Sequence, residues 1–554
     1  MLVSFAYQYH ISSHHTNTGT VSLSHMLNSL RMAFHNVFDG LDRDSSDICI
    51  YDCARLVGCF CDSEAIFDIV LAWARGEKGF SSSMQRCSNL ALLGSCIEGL
   101  HLRCTNVSSC PLSLIQLGHV ARLLSDTSLC GTNEILLKRQ VLRLVYAVVD
   151  SSSTRDVVRV ALERRNTHSS PVTVSALKLQ LNLMRTILQL KSRDDGKKTI
   201  DEAEIALSKA HGMSLEEIHV THARSLLEVA TKDCNVWSID GPNAHGRRLF
   251  EQILGLSSSS LAPIANEIVS VFASVLTVDR DPKVRLALLA CLEAFLNRCT
   301  DSNDVLTRAL RVRSEILLER VLFPCCVWRV GLVESTLRKL AMAALLALVS
   351  RIGVESLDIV SNQFRKSQGT LVSCLEDDDV TTRRLSCRVM TKMFEYMSNI
   401  SVATQRLRYE QINDLYPKLL KRLDDSDDEI RKDACLMLVK FWSAAEKSSY
   451  FHETCMVYTF DVLFLHLDDP SLEIQRAVFE ALSCACKLHP KLLTEKASES
   501  RGKHRTPEFC DRLIRLAASS VHVEEKNTTK EKRALSEMDL DDEIDTGDLD
   551  DIDE

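Results

Sequence analysis

The chain has 554 residues, more than one compact core normally holds, so several domains or one extended array are expected. Its 19 glycines and 10 prolines make up about 5% of the residues, against roughly 12% in average usage, which is too little turn punctuation for a sandwich or a doubly wound sheet. With 45% apolar, 25% charged and 6% aromatic residues, the composition suits a long, nearly all-helical protein with Leu, Ala and Val interfaces and excludes disorder for most of the chain.

The net charge of −9 is gathered at one end: residues 537–554 hold eleven acidic and no basic side chains, and without them the rest sums to about +2. A nearly neutral body with no long basic stripe argues against nucleic acid, since phosphate binding draws on clustered Lys and Arg. Short basic runs such as Lys418 to Arg422 lie inside apolar helical patterns and read as solvated faces. The 21 cysteines are scattered through apolar runs, and no C-x-x-C occurs, so they read as reduced, buried thiols rather than a disulfide or zinc framework. The first residues lack the basic start and long apolar stretch of a secretory signal. The longest clean apolar run, Leu340 to Val349, is half of what a membrane span needs. The expectation is a soluble, intracellular chain.

In chain order, residues 1–46 show no sustained period and read as a poorly ordered segment with one helix from Leu23 to Phe38. Helical patterns follow over Asp47 to Gly58, Ala65 to Arg75, Ser88 to Leu102, Glu134 to Val149 and Val172 to Leu190, with serine clusters between them. Thr154 to Arg159 precedes a further short helix, and Lys191 to Lys198 reads as an inserted loop. His219 and His222, at i and i+3, have no carboxylate or cysteine to complete a metal set and read as part of a surface helix.

From residue 262 to 490 one pattern recurs: an apolar helix, an acidic turn, then a second apolar helix. Its copies are Asp279 to Arg285, Asp377 to Arg383, Asp425 to Arg431 and Asp469 to Gln475, with end-to-end steps of 98, 48 and 44 residues. A weaker copy at Val333 to Arg338 divides the first step into 53 and 45. A period near 45 residues is that of helix-pair HEAT repeats. The fold class expected is therefore all-α, an α-solenoid of HEAT/armadillo-like helix pairs with about ten repeats over residues 47–520.

The turn residues suit caps. Asp281, Asp379, Asp427 and Ser471 fall where each second helix begins, where a side-chain oxygen accepts from free N–H groups; Ser426 with Glu429 offers a capping box one residue earlier. Asp279, Asp377, Asp425 and Asp469 open the turns, and Arg285, Arg383 and Arg431 are placed to reach the turn Asp of the adjacent repeat, with Gln475 at the corresponding position of the last copy. These roles are structural. Residues 521–554 cannot bury a core and are expected to be disordered. They read either as a solubilising tail or as a short motif laying Leu540, Ile544, Leu549 and Ile552 on a basic groove, with Ser536 or Thr546 as phosphorylation sites.

No phosphate cradle, nucleophile elbow, dinucleotide loop or HExxH motif occurs, so no catalytic residue, cofactor or metal site is assigned, and a non-enzymatic binding protein is expected. Leu415-Tyr-Pro-Lys-Leu-Leu-Lys-Arg-Leu-Asp-Asp425, Leu465 to Pro470, Lys503 to Cys510, Leu375 to Arg388 and, more weakly, Ala54 to Gly58 keep their order in a set that resembles the C-terminal portion of the HEAT-repeat dynein axonemal assembly factor family. That resemblance implies cytoplasmic preassembly of axonemal dynein arms, with dynein intermediate and heavy chains, chaperones and other assembly factors as partners. The alternatives are a nuclear transport receptor or a phosphatase or kinase scaffold.

Overall fold

The computed structural model describes residues 23–38, 46–60, 63–76, 82–104, 114–124, 135–149, 171–191, 197–241, 243–299, 301, 303–353, 368–399, 407, 409–445, 451 and 453–520. Thr154 to Arg159, most of the Lys191 to Lys198 stretch and the acidic tail with Leu540, Ile544, Leu549 and Ile552 lie outside these residues. No strand occurs among the described residues. The chain divides into two compact units: Met1–Val275 with Asp279–Val284 and Asn303–Leu310, and Leu276–Val278 with Arg285–Ser302 and Arg311–Glu554.

The first unit contains α1 (Leu23–Phe38), α2 (Ser46–Phe60), α3 (Ser63–Arg75), α4 (Ser83–Cys104), α5 (Leu114–Leu124), α6 (Ile135–Val149), α7 (Pro171–Lys191), α8 (Lys197–His211), α9 (Leu215–Thr231), α10 (Ala244–Leu254) and α11 (Ala265–Val275). Residues of α1 at helical spacing, Leu27, Leu30 and Phe34, are fully buried, and α1, α2, α3 and α6 all pack on α4. The α2–α4 crossing is close because two glycines face backbone there. A Cβ on Gly58 would collide with the Cys96 carbonyl, and one on Gly99 with the Arg55 carbonyl.

Next in the chain come α12 (Pro282–Asn297) and α13 (Val305–Arg311), whose residues are divided between the two units. In the second unit the helix over 314–326, α14, has a π-helical middle at Leu317–Leu322. It is followed by α15 (Leu332–Ala347), α16 (Gln368–Leu375), α17 (Val380–Ser398), α18 (Tyr409–Leu420), α19 (Asp428–Ala444), α20 (Glu453–His466), α21 (Leu472–Ala485), α22 (Pro490–Arg501) and a final helix, α23, over 507–520. These form pairs, and the second helices α15, α17, α19 and α21 each pack on the next, while α20 packs on α22 in the layer of first helices. This is the α-solenoid arrangement of HEAT-like pairs.

The core of the second unit is aliphatic with one aromatic knot. Phe441 meets Phe394 edge-on at 5.2 Å and stacks on Tyr416 at 5.6 Å. The Tyr416 hydroxyl lies 2.6 Å from the Thr459 hydroxyl and accepts from Trp442 Nε1 at 3.3 Å, so the polar tip of the buried ring is satisfied. Cys326, Cys374, Cys387 and Cys435 are buried fillers in the same layers. Burial pushes the Cys387 and Cys435 thiols up to about 12.

Phe441 joins three helices through ring contacts, so Phe441→Ala should lower stability by about 3–5 kcal/mol, read as a shift in the urea midpoint of the second unit. A loss below about 1 kcal/mol would show that neighbouring rings collapse into the space.

Candidate functional site at the charged turn edge

The second helices α17, α19 and α21 of the second unit each begin at an acidic turn, and two kinds of bond hold that turn. Within the repeat, Asp379 Oδ2 accepts from Thr382 N–H at 2.8 Å and Asp427 Oδ1 from Ile430 N–H at 3.0 Å. Asp427, not Ser426, is therefore the cap of α19. Two residues upstream, Asp377, Asp425 and Asp469 each accept from the backbone N–H two residues on, at 3.0, 3.2 and 2.8 Å. In the α21 copy this is the side-chain bond at the turn: Ser471 occupies the cap position with extended backbone, yet its hydroxyl makes no capping bond. In the first unit, Asp281 Oδ1 accepts from Lys283 N–H at 2.9 Å, while Asp279 lies 3.8 Å from Arg280.

The residue six positions after the turn acid closes the loop. Arg383 donates to the Asp377 carbonyl at 2.9 Å, Arg431 to the Asp425 carbonyl at 3.0 Å and Gln475 to the Asp469 carbonyl at 2.8 Å. The arginines then reach one repeat forward. Arg383 binds Asp425 with two nitrogens, at 2.8 and 3.0 Å, and Arg431 meets Asp469 at 3.2 Å. Arg338 donates to Asp377 at 2.7 Å and to the Arg329 carbonyl of its own turn at 3.1 Å. Gln475 keeps the clasp on its own turn but carries no charge for a further rung.

These charges are buried, so their pairing decides whether they are tolerated. Asp425 also receives Arg422 at 3.0 Å. Burial raises its carboxyl, but hydrogen bonds from Arg383 and the Asp427 N–H, with the charges of Arg383 and Arg422, outweigh that and hold it below the usual range. Arg285 differs from the other rung arginines. It is only 1% exposed, yet the turn that follows, residues 327–331, has no acid, and Arg285 Nη1 instead meets Glu334 at 3.2 Å.

The first unit contains a rung that no turn motif announces. Glu98 on α4 accepts from Arg55 on α2 at 2.6 Å and from Arg143 on α6 at 2.9 Å, and Arg143 covers the Tyr51 ring at 3.7 Å. The surface-helix reading of His219 and His222 is overturned. Both are buried on the face of α9 that the unit covers, with His222 Nε2 at 2.7 Å from Gln180 Oε1. His219 lines a cavity of about 410 Å³ with Leu188, Lys191, Glu204 and Glu216, and burial pushes it down to about 4. Of the four tryptophans, Trp237 and Trp442 are buried and Trp328 is half exposed. Among the described residues no group of three or more His, Cys, Asp or Glu is placed to hold a metal ion, and no helix is long and apolar enough to cross a membrane. The turn edge is thus a fastening between successive helix pairs.

Asp425→Asn should cost about 3–5 kcal/mol by leaving two buried guanidinium groups facing an uncharged side chain, and adding Arg383→Met should restore part of the loss; urea denaturation of the single and double variants measures both. For His219, the unfolded ring takes up a proton near 6.5 and the folded one only near 4, so stability is complete above 6.5 and falls as pH drops toward 4. His219→Leu should flatten that part of the slope, compared as thermal midpoints at pH 7 and 5. An unchanged slope would mean that the ring titrates as if in water.

No family model matches the chain. It is similar to dynein axonemal assembly factor 5 of Xenopus laevis, 24% identical over 476 residues that cover 83% of this chain and 50% of that protein. The Homo sapiens protein of the same name is 25% identical over 506 residues, 88% of this chain and 53% of that one. The chain spans about half the length of the curated relatives it matches. Among solved structures, an engineered protein aligns with TM-score 0.37 at 17% identity, over 81% of this chain and 98% of that one. Importin beta aligns with TM-score 0.34 at 11% identity, over 94% of this chain and 66% of that one. Over more than four-fifths of its residues the chain is similar in sequence to proteins named dynein axonemal assembly factor 5.

Proposed function

We propose that this chain is a non-enzymatic scaffold acting in the cytoplasmic preassembly of axonemal dynein arms. The observation that carries the reading is the similarity over 83–88% of the chain to proteins named as dynein axonemal assembly factors. The fold is compatible with it. Stacked helix pairs offer long exposed faces, and such surfaces hold a client through many modest contacts rather than one deep site. The charged residues that stand out in the sequence are spent on holding repeats together, which leaves the outer faces free to vary with the client.

On this reading the clients are dynein intermediate or heavy chains, held before transport to cilia or flagella alongside chaperones and other assembly factors. The test is a tagged pull-down of the full chain from the soluble fraction of ciliated cells, followed by mass spectrometry. Enrichment of axonemal dynein heavy or intermediate chains is expected. Recovery of nuclear-pore proteins or of a phosphatase, with no dynein chain, would overturn the assignment in favour of a transport receptor or a phosphatase scaffold.

A further inference from the structure

One turn in the second unit breaks the rule of its neighbours. Residues 376–379, 424–427 and 468–471 are acidic and polar, whereas the turn between α14 and α15 reads Val327-Trp-Arg-Val-Gly-Leu-Val333. Its apolar side chains are not tucked away: Val330 is 80% exposed, Leu332 84% and Trp328 54%, with Val327 and Val333 also exposed. Five large apolar residues in seven positions facing water form the kind of patch that marks an interaction surface.

The turn is also held in shape. Arg338, buried and fixed by Asp377 of the next repeat, donates to the Arg329 carbonyl and lies 6.0 Å from the Trp328 ring. Gly331 has φ +117, and a Cβ there would meet nothing within 4 Å, so backbone conformation rather than crowding selects glycine. A preformed apolar tip loses little freedom on binding.

Charge indicates the occupant. Residues 311–351 carry seven basic side chains against three acidic, whereas residues 409–445 of a later repeat carry six against eight. The apolar tip therefore sits in a basic repeat, and its complement is an aliphatic segment flanked by carboxylates. The chain supplies one: residues 537–554 hold eleven acids around Leu540, Ile544, Leu549 and Ile552. The reach suffices. Four turn-to-turn steps separate residue 331 from the turn at 502–506, about 40 Å at roughly 10 Å per packed helix, and α23 leads about 20 Å away from that edge. The twenty residues from 521 to 540 span up to about 66 Å when extended.

We propose that residues 537–554 dock on the Val327–Val333 turn, covering Trp328, Val330 and Leu332 with their aliphatic side chains while their carboxylates face the basic repeat. Hydrogen exchange on the full chain, read by mass spectrometry, tests this. Amides over 540–552 should exchange about tenfold slower than a free peptide of that sequence and be unaffected by tenfold dilution. Both Val330→Asp with Leu332→Asp and 0.5 M salt should return them to the free rate. Because the double variant alters a turn, Ile544→Asp with Ile552→Asp provides the reciprocal reading: amides over 327–333 should then exchange faster while the unfolding midpoint stays unchanged. Free-rate exchange of 540–552 in the unaltered chain, or slow exchange indifferent to both variant pairs, overturns the proposal. So does sedimentation with phosphatidylserine vesicles that depends on Trp328, Val330 and Leu332 while the tail exchanges freely, because it would make the turn a membrane-inserting tip.

Discussion

A buried arginine that reaches one repeat forward to a carboxylate is the contact on which the second unit depends. Arg338 and Asp377 are 39 residues apart, Arg383 and Asp425 42, and the further pairs Arg384–Glu429 and Arg388–Asp433 both 45. The same step recurs in the first unit, where Arg55 and Glu98 are 43 apart and Glu98 and Arg143 45. Hydrophobic burial supplies most of the driving force in such a stack, but apolar layers of Leu and Ala slide past one another with little penalty. A two-pronged guanidinium–carboxylate bond does not tolerate a slip of one residue, because the charge left behind would be buried and alone.

Each rung also ties its own turn. Arg383 holds the Asp377 and Asp378 carbonyls while binding Asp425, and one repeat on Arg431 holds the Asp425 carbonyl while meeting Asp469. Turn geometry and repeat spacing are therefore set by one side chain, so the order of each turn depends on the next. Stability in such an array is a sum of nearest-neighbour terms, and these rungs are where two neighbours share a charge.

How much of this was legible in the sequence differed between the two units. The all-α solenoid class followed from scarce glycine and proline and from the 45-residue recurrence of an acidic turn before an apolar helix. The same pattern could not specify which acid each arginine meets. Arg285 turns to Glu334 because residues 327–331 contain no acid, and Ser471 leaves the turn bond to Asp469. The Arg55–Glu98–Arg143 rung was silent because all three residues lie within helices, with no turn motif to mark them. Burial of His219 and His222 was missed because the i, i+3 spacing of two polar residues says nothing of which helix face is covered; only the position of α7 and α10 around α9 does.

The cysteines have a consequence for the life of the molecule. Cys326, Cys387 and Cys435 lie buried in the helix layers, and with their thiols pushed up they are poor nucleophiles while the stack stays closed. Unfolding removes that protection from several thiols at once and returns them to ordinary acidity. An opened repeat is then chemically as well as conformationally exposed: oxidants or mispaired disulfides act on it at a rate set by how often neighbouring pairs separate. Integrity of the helix stack thus becomes a kinetic property, governed by opening frequency and by the reducing strength of its surroundings.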